Sequence, residues 1–145
     1  MKKFLRVLKE QSGNYISSSL FVFTNSGLIE RLIMTAERAA NYFHGPERYN
    51  CGQAVLKAFQ DEHNISESEI EQFRGLGGGK ADGGMCGALF AAKSLVGADK
   101  QDELEAIFVD KAGSWKCREI RRSGSLSCRE CVYTAAKLLK EMKES

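Results

Sequence analysis

Apolar residues at Leu28, Ile29, Leu32, Ile33, Ala36, Ala39, Ala40 and Phe43 recur at the three-to-four spacing of an amphipathic helix. The spacing predicts a helix from Ser26 that stops at Gly45-Pro46. Upstream, "NYISSSLFVFTNSG" mixes serine, aromatic and β-branched residues without such a stripe. Residues 1–27 are therefore expected to form an N-terminal extension, either a short strand, a hairpin arm or poorly ordered chain. Residues 28–145 are expected to form the helical domain. In "NCGQAVLKAFQDEH", Asn50 and Gln53 make a capping-box pattern, and Ala54, Val55, Ala58 and Phe59 supply the buried stripe. Ser66 and Glu69 repeat the box before a shorter helix in "SESEIEQF". Four more helices are expected: from about Met85 to Val96; through "DKQDELEAIFVDKAG" with Leu104, Ile107 and Phe108 inward and Gly113 as C-cap; in "SWKCREIRR" behind a Ser114 cap; and from Ser127, with Glu130 at the third position, to the C-terminus. No strand alternation follows residue 27. The fold class is all-α, a compact bundle of five or six helices with short connections and a glycine-rich loop.

The size and charge of the chain narrow its class. With 145 residues it fits one domain that holds a hydrophobic core without disulfide staples. A net charge of +2 is too small to argue for nucleic acid. No apolar run is long enough to insert in a membrane. Charges at Arg6, Lys9 and Glu10 interrupt the apolar centre that a signal peptide needs, so a cytoplasmic location is expected. Five cysteines in a reducing compartment leave thiol redox chemistry, metal or cluster ligation, or buried small hydrophobes.

Four of those cysteines fall in the first turn of a predicted helix. Cys51 follows the Asn50 cap, Cys128 follows Ser127, Cys117 lies three residues after Ser114, and Cys86 opens the helix after the glycine loop. Free amides and the helix dipole favour a thiolate there, and the thiolate is both the nucleophile and the metal ligand. Lys116, Arg118, Arg121, Arg122 and Arg129 crowd Cys117 and Cys128, opposed by Glu119 and Glu130. Singly these read as a solvated face; as a group they fit an electropositive thiolate site or an anion-binding patch. Cys128 and Cys131 form a Cys-x-x-Cys pair on one helical face, spaced for a redox disulfide or a shared metal. His44 and His63 sit near predicted helix C-termini, where free carbonyls are their simplest partners.

The stretch "GLGGGKADGG" places six glycines in ten residues. It lacks the Gly-Lys-Ser/Thr of a phosphate loop, and no strand precedes it. Close approach is the better explanation: glycines let the backbone bend and pass beside a helix or a thiol. Gly87, Ala88, Ala91 and Ala92 then keep one face of the next helix small.

Together "NCGQAVLKAF", "GGGKADGGMCGALFAA", "GSWKCREI" and "CRECVYTAAKLLKEM" resemble the redox-active protein family named for its C…GCAxxG…C…C cysteine pattern. The resemblance runs from about Ile29 to the C-terminus and leaves residues 1–27 unmatched, consistent with translation from a later start. It implies a small, mostly helical protein of redox function, and some relatives are selenoproteins. The family cysteines carry over to Cys51, Cys86, Cys117 and Cys128, which makes Cys131 an additional thiol. Met85 precedes the core cysteine, and Ala91 stands where a glycine is expected.

Three readings follow. The first is dithiol/disulfide chemistry needing no cofactor, acting on a redox partner or a small anionic substrate. Cys86 attacks in this reading, Cys51 and Cys117 partner it, Cys128 is the fourth member and Cys131 resolves with Cys128. The second is a binding protein that holds an iron–sulfur cluster or a soft metal such as zinc on the same sulfurs. The third is a helical interaction protein with structural cysteines. Alanine-lined helices and the aromatic N-terminal arm are consistent with a homodimer.

Overall fold

A computed structural model describes residues 14–144, with side chains from Ser26 onward. Eight α-helices occur among the described residues: α1 (Asn14–Tyr42), α2 (Cys51–Ala58), α3 (Gln60–His63), α4 (Glu67–Gln72), α5 (Gly87–Leu95), α6 (Gln101–Ala112), α7 (Cys117–Ser123) and α8 (Cys128–Glu144). Short 3-10 turns cover Phe73–Leu76, Asp82–Gly84 and Ala98–Lys100. Extended pairing among the described residues is limited to two isolated bridges, Phe43 with Tyr49 and Met85 with Lys116. The all-α class expected from the patterning holds.

Two units divide the chain, Met1–Ile33 and Met34–Ser145. Helix α1 begins at Asn14 rather than at Ser26, so the part of the expected extended arm at residues 14–27 is helical. The absence of a local apolar stripe there did not prevent helix. The remainder of the arm, residues 1–13, lies outside the described residues.

Within the second unit, α2, α5 and α8 pack against one another, and α6 closes against α5 and α8. Their facing surfaces are built from small residues: Ala54, Ala88, Ala91, Ala92, Ala135 and Ala136 are all buried. Phe59, Leu89, Leu104, Phe108, Val132 and Leu139 fill the spaces between them. The small helix faces expected to allow tight packing are buried inside the chain.

Capping signals locate most helix starts. Asn50 and Gln53 form a complete box, each side chain taking the other's backbone N–H. Ser127 and Glu130 do the same at α8. At α4 Ser66 accepts the Glu69 N–H, and its hydroxyl donates to the Glu69 carboxylate, so only half of that box is made. Gly113 ends α6 and Gly124 ends α7 in the left-handed region.

Two helices depart from expectation. The helix read through His63 divides at Phe59, whose N–H is shared between the Val55 and Leu56 carbonyls as the turn tightens. Ser114 does not cap α7; Lys116 occupies that position, and the Ser114 hydroxyl accepts the Lys116 N–H instead. The cause is tertiary. Trp115 and Lys116 are held extended against Met85 and Cys86, with the Cys86 N–H donating to the Trp115 carbonyl at 2.9 Å. Cys117 consequently sits at the first helical position.

Gln53 does more than cap. It is fully buried, and its amide group also donates to the Ile70 carbonyl at 3.1 Å, fastening α4 to α2. Replacement by an apolar isostere leaves the Asn50 N–H and the Ile70 carbonyl without these partners. Gln53→Leu is expected to lower unfolding stability by about 1–3 kcal/mol in urea or guanidinium denaturation, from the loss of two hydrogen bonds at buried and half-buried backbone groups.

Candidate functional site

The starts of α2, α5, α7 and α8 converge in the second unit. Each delivers a cysteine in its first turn: Cys51, Cys117 and Cys128 open α2, α7 and α8, and Cys86 is the N-cap residue of α5. All four, together with Cys131 one turn into α8, line one cavity of about 110 Å³. Cys51, Cys86 and Cys131 are buried, whereas Cys117 and Cys128 are half-buried. All five are free thiols.

The glycine loop makes this convergence sterically feasible. A Cβ at Gly87 would lie 2.6 Å from the Cys51 sulfur, and one at Gly79, where φ is +85°, would lie 3.3 Å from the Cys117 Cβ. Side chains at these positions would displace the sulfurs they pass. Asn50, besides capping α2, donates through its amide nitrogen to the Phe73 and Arg74 carbonyls, at 2.9 and 3.0 Å, and so anchors the entry to the loop. The sequence-based reading of the glycines as a close-approach device is thus met at named contacts.

The buried thiols differ in acidity because they differ in donors. Burial pushes Cys51 up to about 11, helped by the nearby Cys86 and opposed by the Gly78 amide. Cys86 is equally buried but moves down from the usual thiol range. The largest cause is the thiol of Cys131, which acts as its hydrogen-bond donor; burial opposes this, and the amides of Ala88 and Leu89 and the charge of Arg121 add to it. Cys86 makes no strict side-chain cap hydrogen bond. Its acidity therefore rests first on Cys131 and only then on the helix start. Cys131 moves in the opposite direction, because its proton is engaged by Cys86 and its site is dry. Cys117 is raised by its partial burial, with Arg121 working against that.

Of the five basic residues crowding Cys117 and Cys128 in sequence, Arg121 alone lines the sulfur cavity. Its Nη2 donates to the Cys128 sulfur at 3.8 Å. Arg129 is turned away, donating to the Ala40 carbonyl and the Asn41 side chain at 2.7 and 2.6 Å, where it ties α8 to the end of α1. Cys131 shares α8 with Cys128 and lines the same cavity as Cys86, with which its ionisation is linked. His44 stacks on Phe43 with ring centres 4.0 Å apart, and both line the cavity. His63 lies elsewhere, edge-on to Phe59, with Nε2 buried and without a hydrogen-bond partner. In the sequence Phe43 is part of a helical stripe and Gly78 part of the glycine loop, and neither pattern singles it out as a cavity residue.

Thiolates suit zinc and iron–sulfur clusters as donors. Among the described residues, however, no three Cys, His, Asp or Glu side chains are placed to hold one ion.

A family model described as "Putative redox-active protein (C_GCAxxG_C_C)" matches residues 49–142. The chain belongs to this family. No curated protein and no solved structure matches the chain. The matched span of the C_GCAxxG_C_C protein contains all five thiols, the glycine loop and Arg121. No helix among the described residues is long and apolar enough to cross a membrane.

Because its anion is favoured, alkylation of Cys86 by iodoacetamide, followed by peptide mass mapping, is expected to rise through a midpoint below that of an ordinary thiol. Cys131→Ala removes the donor to the anion and is expected to move that midpoint to higher pH. Cys131→Ser, which keeps a hydroxyl donor, is expected to move it part of the way back. An unchanged midpoint in Cys131→Ala would show that the first-turn amides suffice.

Proposed function

We propose that this member of the C_GCAxxG_C_C family is a thiol–disulfide redox protein in which Cys86 is the attacking sulfur and Cys131 its resolving thiol. The observation that carries the reading is the arrival of five free thiols from four helix starts at one cavity, with Arg121 as the cation among them. Three of the five cysteines alone would pass as small buried hydrophobes. Half-buried Cys117 and Cys128, beside an arginine, do not fit that role.

The Cys86 thiolate attacks one sulfur of a substrate disulfide. A bond forms between Cys86 and that sulfur, the substrate S–S bond breaks, and the departing sulfur leaves as a thiolate that takes up a proton. Cys131 then loses its proton and attacks the Cys86 sulfur of the mixed disulfide, releasing the second substrate thiol. The net change is a protein disulfide and two substrate thiols, with two electrons passed from protein to substrate. An external dithiol returns those electrons. No cofactor takes part, and the cycle suits the reducing cytoplasmic setting expected from the sequence. Cys51, held as a thiol by burial, is positioned as a reserve partner for Cys86 rather than as an attacking group. A cluster or zinc on the same sulfurs is the less favoured reading, since among the described residues no three ligands are placed for one ion.

Mild oxidation with diamide is expected to lower the free thiol count by two, with a linked Cys86–Cys131 peptide on mapping, and dithiothreitol is expected to restore it. Cys86→Ala should abolish that loss. A wild-type count that does not change would overturn the proposal, and a coloured metal-bearing protein from anaerobic purification would transfer support to the cluster reading.

A further inference from the structure

A second space adjoins the sulfur cavity. It is an open basin of about 580 Å³ that shares Gly78, Cys117 and Arg121 with the cavity. One wall is glycine backbone, where Gly78 and Gly84 carry no side chain to fill the space. The other wall carries Lys116, Arg118, Arg121 and Arg122 against a single carboxylate, Glu119. That carboxylate is occupied by the Ser114 hydroxyl at 2.6 Å. Among the described residues, none of the four cations forms an ion pair with a carboxylate, while Lys57, Arg74, Lys93 and Lys140 elsewhere all do. A chain with a net charge of only +2 therefore concentrates, at a basin that opens on its thiols, positive charge that no carboxylate among the described residues pairs.

The two volumes divide the labour. The inner cavity has the volume of only a few water molecules, at about 30 Å³ each in the liquid, so a sulfur and its immediate substituents fit there and little else. The basin is in the size range of small-molecule sites, and its field gathers anions at the mouth. We propose that the substrate is a low-molecular-weight disulfide bearing carboxylate or other anionic groups, with its charged part held over Lys116, Arg118 and Arg122 and its sulfur passed inward beside Cys117 and Arg121. This rests on the thiol–disulfide reading above and specifies its substrate class. The electron balance is that of the exchange already written: two protein thiols are oxidised, and the anionic disulfide is reduced to two anionic thiols.

The test compares three disulfides on the reduced full-length chain: dianionic 5,5′-dithiobis(2-nitrobenzoate), neutral 4,4′-dithiodipyridine and dicationic cystamine. Each rate is divided by that of the same probe with N-acetylcysteine amide, and products are mapped by mass spectrometry. The dianion is expected to be favoured over the neutral probe by tenfold or more after that correction, and the dication disfavoured, with the preference fading as salt is raised. Arg118→Glu/Arg122→Glu, both at exposed positions, is expected to reduce the dianion-to-neutral ratio to near one. A ratio near one in the wild-type chain at low salt would overturn the anionic substrate while leaving the exchange chemistry intact. If none of the probes produces an internal disulfide, the exchange reading falls and the substrate assignment falls with it. The salt dependence of the wild type gives an answer even if the double variant folds poorly.

Discussion

The close approach of α2 and α5 at their first turns is the constraint on which the site depends. Gly52 and Gly87 face each other there; a Cβ on Gly52 would lie 3.1 Å from the Gly87 carbonyl oxygen, and one on Gly87 would run into the Cys51 sulfur. With neither Cβ present, two helix starts meet backbone to backbone, and the sulfurs of Cys51 and Cys86 line the same small space. The alanine faces of α2, α5 and α8 extend the same closeness along the helices. A larger residue at either glycine would separate the helices where the thiols have to meet.

Closeness produces dryness, and dryness makes hydrogen-bond donors decisive. A thiol removed from water resists ionisation, and Cys51 shows that effect with little to oppose it. Cys86 is as deeply placed but has a thiol donor, two first-turn amides and the Arg121 guanidinium acting together. Two cysteines of similar burial thereby differ in acidity, one raised and one lowered. Arg121 connects this interior to the outside, since it lines the cavity and the basin and contacts the Cys128 sulfur.

Where local physics sets the structure, the sequence was legible. The Asn50–Gln53 and Ser127–Glu130 boxes, the Gly113 cap and the 3.6-residue stripes locate helices because each involves residues within one or two turns. Ser114 misled for the opposite reason: its segment is held extended by Met85 and Cys86, thirty residues away in sequence and invisible to any local rule. The start of α1 misled as well, since residues 14–27 form helix without an apolar stripe to announce it.

Residue types and spacing were enough to determine that this chain is helical, that four cysteines stand at helix starts, and that glycines clear the way beside them. Those properties depend on short-range dihedral preferences, capping and side-chain size. Only the tertiary structure decided that Cys131 faces Cys86, that Arg129 points away from the thiols while Arg121 points in, and that the remaining cations border a separate basin. Which side chains meet across an interface depends on how helices are rotated and offset against one another. That is fixed by the packing of the whole core, and no spacing along the chain records it.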